Sequence, residues 1–181
     1  MSEVDVNAAM DETVNQEAAK AALEADLVEG GRYRFQLAEF PQVVKDDKEF
    51  FDKEETQKNP WYGKTRFNLR MSLTSKRVGK GKDEPFETLD RPRTYWQKVS
   101  NDVVLNAKGE KSKETIFFGQ MINIATKELG HVPTIRETLQ YFVDHAGEVV
   151  ITRTEEKDTE DGRHFEARNW TQAIKSLPTA A

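Results

Sequence analysis

Apolar side chains recur at every second position in two stretches of the chain, 32–37 and 66–73. Because neighbouring residues in a strand point to opposite faces, this period predicts two half-buried β-strands, each with arginines on its polar face. A third strand is expected within 86–99, where Pro92 indicates an edge position or a bulge, since proline cannot donate to a sheet ladder. The charged, turn-rich segment 41–64 is predicted to be a long loop.

The spacing of apolar residues changes to that of amphipathic helices in the second half of the chain. In 114–129 they recur at three- and four-residue intervals, which places them on one wide stripe of a helix. A second helix is predicted to begin at Thr134, because this residue and Glu137 have the spacing of a capping box, and to run until Gly147.

Two further strands are predicted after the helices, at 148–153 and 163–170. The link between them ends in Asp161-Gly162, which favours a hairpin. The sequence therefore predicts a mainly β fold with helices, of the α+β class, in which three strands are followed by a helical stretch and then by two strands.

Charge is distributed unevenly along the chain, whose formal net charge is −5. Residues 1–30 hold eight acidic residues against one lysine, whereas residues 64–113 hold thirteen Lys and Arg against six Asp and Glu. We interpret 1–29 as an acidic, Ala/Glu-rich flexible tail, 30–177 as one ordered domain and 178–181 as a short C-terminal tail. The acidic tail fits three roles: competing with nucleic acid for the cationic region, mimicking DNA or recruiting a partner protein, or acting only as a solubility segment.

Several function classes find no support in the sequence. The chain has no cysteine and three well-separated histidines, so neither thiolate chemistry nor a metal site is expected. No nucleophile elbow, zinc-protease motif, P-loop or dinucleotide fingerprint is present, and we expect neither catalytic residues nor a cofactor. No apolar run approaches the roughly 18 residues that cross a bilayer, and the N-terminus lacks the pattern of a secretory signal. A cytoplasmic protein without a membrane partner is expected, in the host cell if it is encoded by a phage.

Cationic and aromatic side chains are interleaved through the predicted strands and loops, and 76–82 combines four bases with two glycines as expected of a mobile cationic loop. A groove for single-stranded nucleic acid needs cations along the phosphate path and flat side chains on which bases stack. The residues that meet these needs are Arg34, Trp61, Tyr62, Arg66, Arg70, Lys76, Arg77, Lys80, Lys82, Arg91, Arg93, Tyr95, Trp96, Arg168 and Trp170.

Each of these assignments has a structural alternative that the sequence leaves open. The cations also fit an ordinary solvated surface beside Asp and Glu, and the aromatic residues also fit a core. Because neighbours in a strand face opposite sides, each of the two adjacent Trp/Tyr pairs should have one exposed member, for which Trp61 and Trp96 are the candidates. Trp170 is expected to point outward beside Arg168, with packing against the C-terminal segment as the alternative.

The order of elements over about residues 30–175, together with the aromatic and basic pattern, resembles the OB-fold and, within it, the phage-type single-stranded DNA-binding proteins. The resemblance implies a five-stranded Greek-key barrel with a helical insertion between strands three and four. One difference is that such proteins commonly carry an acidic tail at the C-terminus, whereas the acidic segment here is N-terminal. The positions that match the family's binding surface are Trp61, Tyr62, Arg66, Arg70, Tyr95 and Trp96.

This resemblance implies a non-enzymatic protein of replication or recombination that binds single-stranded DNA without sequence preference, by base stacking and phosphate contacts. Single-stranded RNA is the alternative nucleic-acid partner on the sequence alone, and replication or recombination proteins are expected partners of the acidic tail. The alternative is a protein-interaction module, such as a phage-encoded inhibitor or accessory factor, that uses the same surface to bind a protein.

Overall fold

The computed structural model describes residues 15–19 and 26–177 of the chain. The predicted C-terminal tail and most of the predicted N-terminal tail lie outside the described residues. Within the described part of the N-terminal tail, residues 16–19 are helical.

The described residues form two compact units, a larger one of 29–152 and 170–177 and a smaller one of 15–19, 26–28 and 153–169. The strands are β1 (Gly31–Leu37), β2 (Gln42–Lys45), β3 (Thr65–Arg77), β4 (Phe86–Val99), β5 (Gly147–Thr154), β6 (Lys157–Asp158), β7 (His164–Phe165) and β8 (Arg168–Lys175). The two long helices are α1 (Lys113–Leu129) and α2 (Ile135–Asp144).

A strongly curled antiparallel sheet, a half-barrel, dominates the fold. Its strands follow the order β2-β3-β1-β5-β8, and β4 pairs with the other side of β3. The strand that follows the helices, β5, therefore lies beside β1, which gives β5-β1-β3-β4 the spatial order of a Greek key. This arrangement confirms the predicted mainly β fold with helices.

The edge strands β4 and β8 are joined through side chains. The Thr171 hydroxyl lies 2.8 Å from the Tyr95 hydroxyl and donates to Oε1 of Gln97 at 2.6 Å. Burial raises the pKa of the Tyr95 phenol, and the hydrogen bond to Thr171 offsets part of that rise. Tyr95 therefore belongs to the inner side of the sheet, where it helps to hold the curled edges together.

The core lies between the inner face of the sheet and the two helices. Phe35 of β1 stacks on Phe142 of α2 with ring centroids 5.8 Å apart, and Phe67 of β3 lies 6.0 Å from Phe118 of α1. At the start of β5 the rings of Phe35 and Phe142 leave no room for a side chain, since a Cβ on Gly147 would lie 2.9 Å from Phe35 Cε1. The fully buried side chains are Phe35, Phe117, Phe118, Phe142, Leu69, Met71, Leu73, Met121, Leu139, Ile151, Val99 and Val149.

Both predicted helices are present, and the second has the predicted capping box. At α2 the Thr134 hydroxyl accepts from the Glu137 amide at 3.1 Å, and the Glu137 carboxylate accepts from the Thr134 amide at 2.8 Å, which completes the capping box. α1 begins after Ser112 and ends at Gly130, whose left-handed φ of 76° suits glycine. Neither helix, nor any other helix of the described residues, is long and apolar enough to cross a membrane.

The predicted irregularity at Pro92 is confirmed. In the β3–β4 ladder Leu73 opposes Arg93 and Ser75 opposes Thr88, so four residues of β4 bulge out opposite one residue of β3. Proline is tolerated there because β4 is an edge strand and the bulged residues have no partners in the β3–β4 ladder.

Two strand predictions are wrong in detail. The segment predicted as a long loop contains β2, a four-residue edge strand that pairs with the first residues of β3. The Asp161-Gly162 turn closes the short β6–β7 hairpin of the smaller unit, and the last long strand begins only at Arg168. β2 was missed because four residues are too few for a hydrophobic period to be detected. The hairpin was misassigned because a turn motif gives no information on the length of the strands that flank it.

Candidate nucleic-acid interface

The outer face of β3 and β4 combines an exposed aromatic ring with cationic and polar side chains. Trp96 lies directly opposite Arg70 in the ladder, and Lys98 lies opposite Asn68 in the next row. Because directly opposed residues of an antiparallel pair share a face, these four side chains are neighbours. We call this set, Trp96, Arg70, Lys98 and Asn68, the β3–β4 face.

Strict alternation along the two strands places these side chains outward. Leu69 and Met71 on either side of Arg70 are fully buried, and β4 alternates between more and less buried residues from Arg93 to Val99. Trp96 is consequently 50% exposed, which confirms the predicted exposure of this ring. Half of a large apolar ring left in water is the kind of surface on which a base can stack.

Charge on the β3–β4 face is only weakly neutralised. The Arg70 guanidinium lies 3.8 Å from the Glu39 carboxylate, and both side chains are about half exposed, at 45% and 53%. A solvated pair at this distance contributes about 0–1 kcal/mol, so a phosphate can replace Glu39 at small cost. Arg34, exposed on β1, adds a further cation on the outward side of the same sheet.

Trp61 and Arg66 do not contribute to an exposed surface, contrary to the expectation for Trp61. Trp61 is 8% exposed, and the Arg66 guanidinium lies 4.8 Å from the centre of its ring. Arg66 also pairs with Asp46 at 2.8 Å, and the Asn59 side chain accepts from the Trp61 amide at 2.9 Å. These contacts fasten the end of the 46–64 loop to the start of β3, and Tyr62 is the exposed member of its pair.

Arg77 is placed in a mobile loop by the sequence, but it is the buried last residue of β3, 5% exposed. Its guanidinium lies 2.7 Å from the Glu148 carboxylate, donates to the Glu84 carbonyl oxygen and lies 4.2 Å from the centre of the Phe86 ring. A side chain with these partners organises the loop that follows it and is not an exposed contact for a polymer.

The remaining cationic candidates are spread around the larger unit. Lys76 pairs with Glu29 at 2.9 Å, and its ammonium lies 5.8 Å from the centre of the Tyr33 ring. Lys80 and Lys82 are exposed on the loop between β3 and β4, Arg91 is exposed in the bulge of β4, and Arg93 is half-buried.

Strand β8 carries the last two candidates. Trp170 is 44% exposed, as predicted, and belongs to the larger unit. Arg168 is exposed and belongs to the smaller unit.

Lys98 and Asn68 were not among the residues selected from the sequence. The signal that identifies them is the register of β3 and β4, which sets both residues beside the Trp96–Arg70 pair. This register depends on the bulge at Pro92, and no periodicity within a single strand reveals it.

No group of three or more metal-ligating side chains occurs within residues 15–19 and 26–177. Comparison with known proteins finds no matching family model, no matching curated protein and no matching solved structure. The geometry of the described residues is therefore the basis for any functional assignment.

Proposed function

We propose that this protein binds single-stranded DNA without sequence preference, through the β3–β4 face, and acts in replication or recombination. The observation that carries the proposal is the half-exposed Trp96 ring directly opposite Arg70, with Lys98 and Asn68 in the next row.

The chemistry of the β3–β4 face suits a single strand. Stacking of one base on an aromatic side chain contributes roughly 1–3 kcal/mol and is insensitive to sequence, because every base has a flat face. Arg70 lies across the ladder from Trp96 and Lys98 lies two residues further along β4, so both can supply charge for the flanking phosphates. Successive outward residues along a strand are about 7 Å apart, which is the scale of the spacing between nucleotides in an extended strand.

The arrangement of strands supports the resemblance to the OB-fold. Among the five longer strands, β3 and β4 are the second and third, and both helices come between the third and the fourth. In OB-folds the face of strands two and three binds oligonucleotides. The side-chain bonds from Thr171 to Tyr95 and Gln97 are consistent with a barrel that closes between its edge strands.

Intrinsic tryptophan fluorescence tests the proposal, because one of the three tryptophans is buried and the other two are about half exposed. Titration with oligo-dT should quench the wild-type protein strongly at low salt and less at high salt, with duplex DNA giving little change. The Trp96→Phe variant should lose most of that quenching, whereas the matched Trp170→Phe variant should keep it. Oligo-U provides the comparison with RNA.

A charge variant separates phosphate contacts from stacking. Arg70→Gln should weaken oligo-dT binding, while Lys127→Gln, the same change on the helix that packs against the inner face, should not. The proposal is wrong if oligo-dT leaves the fluorescence of the wild-type protein unchanged, or if it quenches the Trp96→Phe and Trp170→Phe variants to the same extent.

A further inference from the structure

A cationic cavity of about 450 Å³ lies near the ends of four strands of the larger unit. It is lined by residues from the starts of β1 and β5, the last residue of β3 with the loop that follows, and the end of β8. The charged residues of its lining are Arg32, Arg77, Lys82, Lys175, Asp83 and Glu148.

A buried carboxylate forms the base of this cavity. Glu148 is 2% exposed and accepts from Nε and Nη2 of Arg77, at 3.3 and 2.7 Å, and from Nη1 of Arg32 at 3.2 Å. Burial of a carboxylate requires compensation, and one arginine suffices to balance its charge. The second arginine, Arg32, whose side chain is 20% exposed, therefore leaves an excess positive charge beside the buried pair.

The arginines are held in place before any ligand arrives. Arg77 is fixed by Glu148, by the Glu84 carbonyl oxygen and by the Phe86 ring, and Arg32 is fixed by Glu148. A guanidinium that is already ordered loses little side-chain entropy when an anion binds, which favours binding.

Two exposed lysines complete the lining. Lys82 comes from the loop after β3 and Lys175 from the end of β8, while Asp83 is the remaining carboxylate. Four cationic side chains thus face two carboxylates, one of which is already paired with both arginines. A phosphate group carries about −1.5 to −2 charges near neutral pH, which matches this excess.

We propose that this cavity binds a phosphate group, presented either by the backbone of a polynucleotide or by a free nucleotide or inorganic phosphate. The fork of an arginine and the point charge of a lysine are the side chains that suit phosphate oxygens. The site is distinct from the β3–β4 face, shares no residue with it and does not depend on the function proposed for it.

Nuclear magnetic resonance of the full chain tests the site, with inorganic phosphate as the probe and ionic strength held constant with chloride. The side-chain N–H signals of Arg32 and Arg77 should shift saturably. The variant Lys82→Gln/Lys175→Gln, which changes only exposed side chains, should weaken the apparent affinity by about tenfold or more. The matched variant Lys53→Gln/Lys127→Gln should leave it unchanged. The proposal is overturned if phosphate shifts these signals no more than chloride, or if both double variants bind alike.

Oligo-dT and a thymidine 5′-nucleotide distinguish the two sources of phosphate. If the Lys82→Gln/Lys175→Gln variant weakens both oligo-dT binding and the phosphate response, the cavity takes a backbone phosphate. If it weakens the response to phosphate and nucleotide but leaves oligo-dT binding intact, the ligand is a free phosphate group. Loss of quenching in Trp96→Phe reports on the β3–β4 face alone, so a failure of either proposal is visible separately.

Discussion

Removing one partner of the buried Arg77–Glu148 pair should be one of the most destabilising single substitutions in the sheet. Replacing Glu148 by Ala removes the carboxylate that accepts from both Arg77 and Arg32. The two side chains of the Arg77–Glu148 pair are 5% and 3% exposed, so solvent screens this interaction very little. The guanidinium of Arg77 would then be buried without its counter-charge.

The magnitude follows from this burial. Removing one partner of a buried ion pair costs about 3–5 kcal/mol, because the remaining charge stays desolvated. Arg32 is 20% exposed and can regain some hydration, so Arg77 accounts for most of the expected cost. The total stability of a domain is about 5–15 kcal/mol, so this loss is a large fraction of it. At about 2–4 °C per kcal/mol for a protein of this size, Glu148→Ala should lower the melting temperature by about 6–20 °C.

Urea unfolding measures this loss, with Glu39→Ala as the control. Glu39 pairs with Arg70 at the surface, and its removal should cost at most about 1 kcal/mol. The double variant Arg77→Met/Glu148→Leu should lose less than the sum of the single changes, since no uncompensated charge remains. A loss below about 1 kcal/mol for Glu148→Ala would refute the reasoning.

Three further predictions concern other parts of the larger unit. By urea unfolding, Trp61→Ala should cost about 3–5 kcal/mol, whereas Trp96→Ala, at a side chain that is 50% exposed, should cost no more than about half of that. Equal losses would contradict their different burial. Gly147→Ala should destabilise by about 1–3 kcal/mol, since its Cβ would meet two phenyl rings, while Gly119→Ala, with open space in a helix, should stabilise by about 0.5–1 kcal/mol. The Thr134 amide, which donates to the Glu137 carboxylate at the helix cap, lowers the pKa of Glu137 below its ordinary range. The stabilisation by the ionised carboxylate is therefore complete at neutral pH and is lost as the pH falls through that lowered pKa. An unshifted titration of this carboxyl group by NMR would exclude the effect.

The longer elements were predictable from the sequence because each carries its own period. β1 from Tyr33 and β3 from Phe67 to Leu73 alternate between buried and outward residues, and α1 and α2 begin at hydroxyl side chains that cap them. β2 was missed because its four residues owe their strand conformation to pairing with β3, which is a tertiary contact. The turn at Gly162 was identified correctly, but the small hairpin that it closes was assigned to the long strands.

Which arginines remain exposed was not predictable, because their partners are distant in sequence. Arg77 meets Glu148 across 71 positions, and Arg66 meets Asp46 across 20. Both arginines occur in the same alternating strand as Arg70, yet only Arg70 remains about half exposed. Alternation along a strand determines on which face a side chain lies, whereas the opposing strands and loops determine whether that face is open to solvent.

This distinction has a measurable consequence for the salt dependence of DNA binding. For single strands, log K falls with log salt by about 0.7 for each phosphate that is neutralised. If all of the Lys and Arg residues selected from the sequence met phosphates, the slope would be about −7. The exposed cations on the β3–β4 face and on the neighbouring strand β1 are Arg70, Lys98 and Arg34. They predict a slope of about −2, or about −3 if the cavity at Arg77 also takes a backbone phosphate. Fluorescence titrations with oligo-dT at several salt concentrations measure this slope, and a value near −7 would mean that the cations engaged in ion pairs exchange their carboxylates for DNA.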